Sequence, residues 1–254
     1  MKKKLVAVIA CRNNSSRLYA KPLQFLDNSS KTTILKCIID GLKKNSNIDD
    51  VVLAISNSKD NSVYKIIAKK NKIKFFYGSD MDVLLRLVHG AKKTSATDVF
   101  RITSESPFVS LDKINKYWKK HCKEKNDLTI YSNNIDGMGF EIFTTNSLIK
   151  SHKLGKKKHR SELCDLYIRE NIKKFKVSYN IEKLTNKKFR LTVDNPEDLI
   201  LCRKIFQSMK TDYPRFKIKK IINFLNHKDN KIFIKQVNQF INKSKTIDNL
   251  WKNV

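Results

Sequence analysis

Short apolar runs alternate with segments of helical periodicity along the first half of the chain. Apolar, often β-branched residues dominate four runs that predict strands, at 5–10, 50–56, 73–78 and 97–103. Apolar residues three or four positions apart predict helices at 32–44, 61–71, 81–93 and 111–125. This alternation predicts an α/β fold with a mostly parallel sheet and right-handed crossovers. In such sheets, ligands bind at the carboxyl ends of the strands.

The pattern becomes less regular after residue 128. It predicts short strands at 128–133, 139–144, 175–181 and 189–193, and helices at 159–174, 194–209 and twice within about 215–245. Asp194 precedes a helix with Pro196 in its first turn, so its side chain is a candidate for the N-cap. No repeat and no linker rich in Pro, Gly or Ser divides the chain. We therefore expect one α/β domain over 1–210 and a helical extension over 211–254.

The charge of the chain suggests a nucleic-acid partner at first. The formal net charge is +29, with 53 basic residues, but only nine of them are arginine, and the lysines are spread along the whole chain. Nucleic-acid-binding proteins more often cluster their charge and use arginine for paired contacts. Abundant Lys, Asn and Ile are also typical of an AT-rich coding sequence. We therefore interpret most of the charge as solvated lysine faces and expect no specific nucleic-acid partner.

Five cysteines, an odd number without a Cys-x-x-Cys pair, argue against a disulfide framework or a zinc site. They favour a reducing compartment. The apolar run at 5–10 is too short for a signal peptide, and no run approaches the length of a membrane span. We expect a cytoplasmic protein without a membrane span.

Charged residues that could bind an anion or a metal ion follow three of the predicted strands. Arg12, Arg17 and Lys21 lie on a loop of small polar residues directly after the first strand, which predicts an anion site for a polyphosphate. The loop lacks the Gly-x4-Gly-Lys-Ser/Thr arrangement of a P-loop, and a solvated basic loop is the alternative. Glu105 and Asp194 end two other strands. Two carboxylates are enough for Mg2+ when substrate phosphates complete its coordination, but each could instead serve only a helix start.

Five motifs, in order along nearly the whole chain, resemble one enzyme family. IACRNNSSRLYAKPL resembles the I-P-A-R-x-x-S-x-R-L-x-x-K-x-L signature of cytidylyltransferases that make CMP-activated sugar acids, such as CMP-Kdo and CMP-neuraminate synthetases. GSDMDVLLR, RITSESPF, KHRSELCDLYIREN and RLTVDNPEDL resemble motifs of the branch that contains spore coat polysaccharide biosynthesis protein F. The resemblance implies a nucleotide-diphospho-sugar-transferase fold, GT-A-like or Rossmann-like, with a mixed, mostly parallel sheet flanked by helices.

The resemblance also implies a reaction and its residues. CTP and an acceptor would give a CMP-linked product and pyrophosphate for surface glycan synthesis. Arg12 and Lys21 would be catalytic, stabilising charge on the leaving pyrophosphate, and Glu105 and Asp194 would hold Mg2+, with Mn2+ as a possible substitute. The expected nucleotide-binding residues are Ala10, Cys11, Arg12, Asn13, Ser16, Arg17, Lys21, Ser79, Asp82, Arg86 and Ser104.

The acceptor implied by the resemblance is a small acidic sugar, a nonulosonic or ulosonic acid. Glu141, His159, Arg160 and Glu162 are expected to contact it. Residues 1–210 would then be the nucleotidyltransferase-like domain, with about 128–190 as its acceptor and dimerisation part. A homodimer is expected, with 135–180 as the contact.

Three departures from the family pattern leave alternatives open. Ser104-Glu105 stands where the branch has Gly-Asp, Tyr19-Ala20 replaces Pro-Gly, and Cys11 replaces Ala. The change at Glu105 motivates a second hypothesis, a GT-A-type glycosyltransferase that uses a finished nucleotide sugar. Asp80-Met81-Asp82 has the spelling of the Asp-x-Asp metal motif of such enzymes. A basic nucleic-acid-binding protein is the third and least favoured hypothesis.

Overall fold

The computed structural model describes residues 2–133, 135–185, 189–231 and 233–239. The strands are β1 (Leu5–Cys11), β2 (Phe25–Asp27), β3 (Thr32–Thr33), β4 (Asp50–Ser56), β5 (Lys74–Gly78), β6 (Asp98–Thr103), β7 (Leu128–Asn133), β8 (Ile135–Asp136), β9 (Phe140–Thr144), β10 (Val177–Glu182) and β11 (Phe189–Arg190). The helices are α1 (Ile34–Lys43), α2 (Ser62–Lys70), α3 (Val83–Lys93), α4 (Ile114–Glu124), α5 (Thr145–Leu154), α6 (Leu166–Glu170), α7 (Pro196–Ser208) and α8 (Ile218–Asn226). Residues 228–231 and 233–239 are also helical.

A seven-stranded mixed sheet organises the molecule. Its strand order is β10-β7-β9-β6-β1-β4-β5, and β9 is the strand that runs antiparallel to both of its neighbours. The other neighbouring pairs, β10 with β7, β6 with β1, β1 with β4 and β4 with β5, are parallel. The mixed, mostly parallel sheet expected from the sequence is therefore confirmed.

Both faces of the sheet are covered, which explains the continuous apolar runs of the central strands. Along β1, Leu5, Ala7 and Ile9 pack into the core shared with α1, α2, α4, α7 and α8. Val6 and Val8 point to the opposite core, shared with α3, α5 and α6. Because side chains alternate between the faces of a strand, each β1 residue contributes to one of two cores. This packing fixes β1 firmly beneath the loop that follows it.

The loop after β1 is held closed by hydrogen bonds at both of its ends. The main-chain N–H of Asn13 donates to Asn61 Oδ1 at 2.8 Å, and the N–H of Ala20 donates to the carbonyl of Asn13 at 2.9 Å. Ala20 adopts a left-handed conformation with φ of 51°. Glycine takes this conformation without steric cost, so Ala20 keeps the backbone shape for which the family pattern has glycine, with some strain.

The least accurate sequence predictions lie in the second half of the chain. The helix predicted over 159–174 is wrong as a continuous element: it is a 3-10 turn at Lys157–Arg160, irregular residues at 161–165, the short α6 and a second 3-10 turn at Ile172–Lys174. The helix is interrupted because the ring of His159 accepts the N–H of Lys156 at 2.7 Å and contacts Glu170 Oε2 at 2.8 Å. These contacts fold the segment back on itself, so that residues 161–163 are exposed while Cys164 and Asp165 are buried.

The predicted N-cap role of Asp194 is also wrong. Asn195 is the N-cap of α7, and it forms a capping box with Asp198, whose side chain accepts the main-chain N–H of Asn195 at 2.9 Å. Asp194 therefore lies outside the helix, and its carboxylate is available for other contacts.

The C-terminal segment is helical over its described part. α8 packs Ile221 and Leu225 into the same core as α1 and α7, and residues 240–254 lie outside the described residues. The boundary between 1–210 and 211–254 stays a prediction. Among the residues that the structure describes, no helix combines the length and the apolar character that crossing a bilayer requires.

Candidate active site

A cavity of about 270 Å³ lies at the carboxyl ends of β1 and β6. Its wall contains the three cations of the loop after β1, Arg12, Arg17 and Lys21, and both predicted metal-binding acids, Glu105 and Asp194. Ala10, Ser16, Arg86, Ser104 and Glu162, which were also predicted as site residues, line the same cavity. The fold thus brings together groups that are up to 184 positions apart in the sequence.

Asp194 is the centre of a cation cluster. Its Oδ1 contacts Lys21 Nζ at 2.6 Å and Arg17 Nη2 at 3.1 Å, while its Oδ2 contacts Arg190. Burial opposes ionisation of Asp194, but the hydrogen bond from Lys21 and the nearby positive charges outweigh it and lower its pKa. This carboxylate therefore contacts two cations of the predicted triphosphate site.

Glu105 has a different environment. The only side-chain hydrogen bond found for it within the described part of the chain is donated by Ser104 Oγ to Oε2 at 3.2 Å, and no salt bridge to it is found there. Burial raises its pKa, and the charge of Lys21 counteracts this only in part. Its main-chain carbonyl accepts the N–H of Val193 at 3.0 Å, which ties it to the segment carrying Asp194.

These two carboxylates fit a divalent cation that arrives with a phosphate. Glu105 is a desolvated acid with no salt bridge to another described side chain, and oxygen ligands are those that Mg2+ and Mn2+ prefer. In the described ranges, no three His, Cys, Asp or Glu side chains gather into a metal site. The remaining ligands would therefore have to come from the nucleotide and water.

Arg12 is held between acids of two loops. One guanidinium nitrogen contacts Glu162, and the other lies 3.9 Å from Asp80 Oδ1. Its main-chain carbonyl accepts a hydrogen bond from Tyr64 at 3.2 Å, which fixes the start of the loop. The side chain is 41% exposed, so an incoming phosphate can reach it.

Arg86 is a buried cation in the wall of the cavity. It is 2% exposed and donates through Nη1 to the carbonyls of Ala54 at 3.0 Å and Cys11 at 3.4 Å. Its Nε has no hydrogen-bond partner among the described residues. Gly78 makes room for it, since a Cβ there would lie 2.8 Å from Arg86 Cγ. Burial lowers the pKa of Arg86.

Four predicted nucleotide-binding residues lie outside the lining of this cavity. Cys11 is buried in the core, and burial raises the pKa of its thiol, so it packs as a small apolar residue. Asn13 holds the loop through its contacts with residues 60 and 61. Ser79 Oγ accepts the N–H of Asp82 at 3.3 Å, and Asp82 caps α3 by accepting the N–H of Leu85 at 2.8 Å. The contacts of Asn13, Ser79 and Asp82 stabilise the loops around the site.

The predicted acceptor residues separate into three places. Glu162 lines the first cavity, and Glu141 lines a second one. His159 is buried against Glu170, and Arg160 lies 3.7 Å from Asp82, so neither lines either cavity. His159 is buried and the Arg160 side chain is 43% exposed, so their contact with the acceptor stays a prediction.

The second cavity, of about 300 Å³, adjoins the first. Arg101, Ile102 and Thr103 line both, and Glu141 and Arg169 line the second alone. The sequence prediction assigned no role to Arg101 or Arg169. Arg101 belongs to the RITSESPF motif, but its importance depends on the pairing of β6 with β9, in which it lies opposite Glu141.

The geometry also bears on the Asp-x-Asp hypothesis. Neither Asp80 nor Asp82 lines the cavity that contains the cation cluster. Asp80 accepts a hydrogen bond from Ser56 at 2.7 Å, and Asp82 is used by α3 and by His152, whose Nε2 lies 2.9 Å from Oδ2. Asp82 therefore serves local structure, and Asp80 lies beside both Ser56 and Arg12.

Comparison with known proteins identifies the family of the chain. A family model described as cytidylyltransferase matches residues 6–247. An uncharacterized protein of Methanocaldococcus jannaschii is 32% identical over 227 residues, which cover 87% of this chain and 90% of that protein. Spore coat polysaccharide biosynthesis protein SpsF of Bacillus subtilis is 23% identical over 229 residues, covering 87% of this chain and 94% of SpsF.

Solved structures agree in fold. A cytidylyltransferase from Leptospira borgpetersenii superposes with a TM-score of 0.82 at 24% identity, covering 92% of this chain and 97% of that one. The CMP-Kdo synthetase complexed with CTP superposes with a TM-score of 0.64 at 13% identity, covering 81% and 99%. The expected fold class is confirmed by these similarities, and the chain is a nucleotidyltransferase that belongs to the cytidylyltransferase family.

Proposed function

We propose that the protein transfers CMP from CTP to an acidic sugar and releases pyrophosphate. The observation that carries the proposal is the single cavity in which Arg12, Arg17 and Lys21 face Glu105 and Asp194. A triphosphate needs several cations, and a metal ion that bridges phosphates needs few protein carboxylates. The cavity offers both sets.

Binding of CTP would exchange partners within the cation cluster. Lys21 and Arg17 now contact Asp194, and Arg12 contacts Glu162. Phosphate oxygens would take the place of these carboxylates, so the ligand-free pairs keep the cations in position until the nucleotide arrives. Arg12 and Lys21 would then stabilise the charge that develops on the leaving pyrophosphate.

Glu105 and Asp194 are the residues that would hold the divalent cation, Mg2+ or Mn2+. When bound, such a cation polarises phosphoryl oxygens and neutralises developing charge. The contribution of the protein is to position both reactants, since phosphoryl-type transfer asks for little covalent chemistry from side chains. An acceptor hydroxyl oxygen would then bond to the α-phosphorus and release its proton to water as the bond to pyrophosphate breaks.

Two relatives support the acceptor class and the pathway. SpsF is named for spore coat polysaccharide biosynthesis, and the CMP-Kdo synthetase acts on an acidic sugar. Both cover most of this chain, and the second cavity provides arginines beside the first. We therefore propose an ulosonic or nonulosonic acid as acceptor and surface glycan synthesis as the role. The homodimer through 135–180 stays a prediction.

The test combines binding with turnover. Thermal shift with the four nucleoside triphosphates and Mg2+ is expected to single out CTP, and pyrophosphate release is expected with CTP and a sugar acid. Arg12→Gln should lower turnover at least 100-fold, on the scale of losing one charge-stabilising donor. Arg203→Gln is the matched control, because Arg203 donates to the carbonyl of Phe25 on the outside of α7. Stabilisation by a UDP-sugar or GDP-sugar but not by CTP would favour the glycosyltransferase instead.

A further inference from the structure

Arg101 stands in the wall common to the two cavities. It lies on β6 opposite Glu141 of β9, and its Nη1 is 3.4 Å from Glu141 Oε2. Its Nη2 donates to the main-chain carbonyl of Glu162 at 2.9 Å. The side chains of Arg101 and Glu141 are 20% and 12% exposed. The guanidinium is therefore anchored from two sides at a fixed place.

This position solves an electrostatic problem of the proposed reaction, on which the inference rests. An acidic acceptor must bring its negative charge close to the α-phosphate of CTP, and two such anions repel each other in a half-buried site. A cation in the wall between them offsets this repulsion. Arg101 lines both the cavity of the triphosphate cations and the cavity next to it.

The contacts of Arg101 leave it capacity to bind a ligand. A guanidinium has five N–H donors in a planar fork that matches a carboxylate, and the contacts with Glu141 and Glu162 use two of its nitrogens. The contact with Glu141 is long, at 3.4 Å. Glu141 beside it can accept hydrogen bonds from hydroxyl groups, so the pair offers complementary groups to a polyhydroxylated acid.

The second cavity has a size and a lining that suit such a molecule. It encloses about 300 Å³, at the lower end of small-molecule sites. Its other lining groups include Arg169, which is paired with Asp165, the carboxylate of Asp136, and the hydrogen-bonding groups of Tyr131 and Thr192. Neither His159 nor Arg160 is among its lining residues.

We propose that Arg101 is the residue that recognises the acid group of the acceptor and fixes it in the second cavity beside the α-phosphate of CTP. Recognition of the acceptor thus depends on the β6–β9 pair, and the loop at 159–162 contributes through the carbonyl of Glu162 alone. Glu162 connects the two cavities, because its main-chain carbonyl accepts a hydrogen bond from Arg101 and its side chain contacts Arg12.

The experiment compares an acid with its neutral ester. Pyrophosphate release by the full chain is measured with CTP, Mg2+ and either N-acetylneuraminate or 3-deoxy-manno-octulosonate, and with the methyl ester of each. The wild type is expected to prefer the acid to the ester at least tenfold in kcat/KM. Arg101→Gln should bring this preference to within about twofold, raise the acceptor KM at least tenfold and leave the CTP KM within twofold. Arg101→Lys, which keeps the charge but not the fork, should fall between them.

Two further readouts keep the test decisive. Arg101→Gln leaves Glu141 half-buried without its cation, so Arg101→Gln/Glu141→Gln provides a variant without that uncompensated charge, and CTP-induced thermal stabilisation reports its folding. An unchanged acid-to-ester preference in Arg101→Gln, or equal increases in both KM values, would overturn the inference. If CTP stabilises the wild type but none of the acids releases pyrophosphate, the inference fails while nucleotide binding stands. If CTP does not stabilise the protein, the proposed function itself fails.

Discussion

Replacing Asp194 with asparagine should separate two roles of this side chain. In the ligand-free protein its carboxylate binds Lys21 and Arg17, so it competes with the phosphates of CTP for the same cations. In the productive complex it would hold the divalent cation together with Glu105. Asp194→Asn keeps the shape of the side chain and removes its charge. We expect a lower free energy of unfolding, tighter binding of metal-free CTP and loss of metal-dependent turnover.

The magnitudes follow from the exposure of the pair. Removing one partner of a fully buried ion pair costs about 3–5 kcal/mol, and an exposed pair is worth about 0–1 kcal/mol. Lys21 and Asp194 are 12% and 19% exposed, and Arg17 is 43% exposed. Asparagine also retains hydrogen-bonding capacity, so we expect a loss of about 2 kcal/mol. For a domain of this size that corresponds to a Tm lower by about 4–8 °C.

The effect on metal-free CTP has the opposite sign. Phosphates no longer need to displace a carboxylate from Lys21 and Arg17, which removes about 1–2 kcal/mol of competition and tightens Kd roughly 5- to 30-fold. Calorimetry with CTP in EDTA measures this change, and turnover with Mg2+ measures the loss of the metal ligand. A Kd for metal-free CTP that is unchanged or weaker in Asp194→Asn would refute the competition between carboxylate and phosphate.

A matched control separates this effect from the loss of any carboxylate. Asp50 forms a comparable pair with Lys74, with Asp50 Oδ2 2.7 Å from Lys74 Nζ, at the first residue of β4. That end of the strand is opposite to the edge that carries the cavity. Asp50→Asn should lower the Tm slightly and leave both CTP affinity and turnover unchanged.

Three further substitutions probe the site and its loop. Burial raises the pKa of Glu105, so its charged form lowers the stability of the fold at pH values above the ordinary pKa of glutamate. Glu105→Gln should therefore raise the Tm measured without ligand at pH 8 but not below about pH 4. The same substitution should abolish the extra stabilisation by Mg2+ with CTP. Equal Tm differences at both pH values would contradict this. Ala20→Gly should raise the Tm by up to about 3 °C, since it relieves a left-handed alanine; a lower Tm would argue against strain. Cys11→Ala should keep turnover within about threefold, because the buried thiol is not a nucleophile; a 100-fold loss would contradict this.

The sequence predicted the central sheet well because its signal is local. β1 and β4 are apolar on both faces, which only a strand covered on two sides requires. α5 was missed because Thr145–Leu154 has few apolar residues and buries Ser147 and Ser151 instead. The β2–β3 hairpin was missed for a related reason, since its strands have only three and two residues. Such elements are stabilised by tertiary contacts that periodicity does not record.

The site was predicted to the extent that its residues follow strands. The loop cations and the two acids could be placed together because carboxyl ends of strands share an edge. Arg101 could not be identified in this way, because its role depends on β9 being inserted beside β6. The sequence also did not reveal that the Asp194 side chain is not the cap of α7, since this depends on the capping box formed by Asn195 and Asp198. Hydrophobic periodicity along the sequence predicts neither the pairing of distant strands such as β6 and β9 nor which of two neighbouring residues caps a helix.

The replacement of Gly-Asp by Ser104-Glu105 changes the reach of one acid but not the relation between the two. The hydrogen bond from the N–H of Val193 to the carbonyl of Glu105 joins the main chains from which both carboxylates project. A longer side chain on a fixed backbone extends one arm by a single methylene group, and Ser104 Oγ, absent in glycine, donates to its Oε2 and restricts where it can point. The two substitutions therefore compensate each other: the serine limits the extra freedom that the glutamate brings. A pair built in this way keeps two oxygen ligands on one cavity, which is the requirement that a nucleotide-bound divalent cation places on the protein.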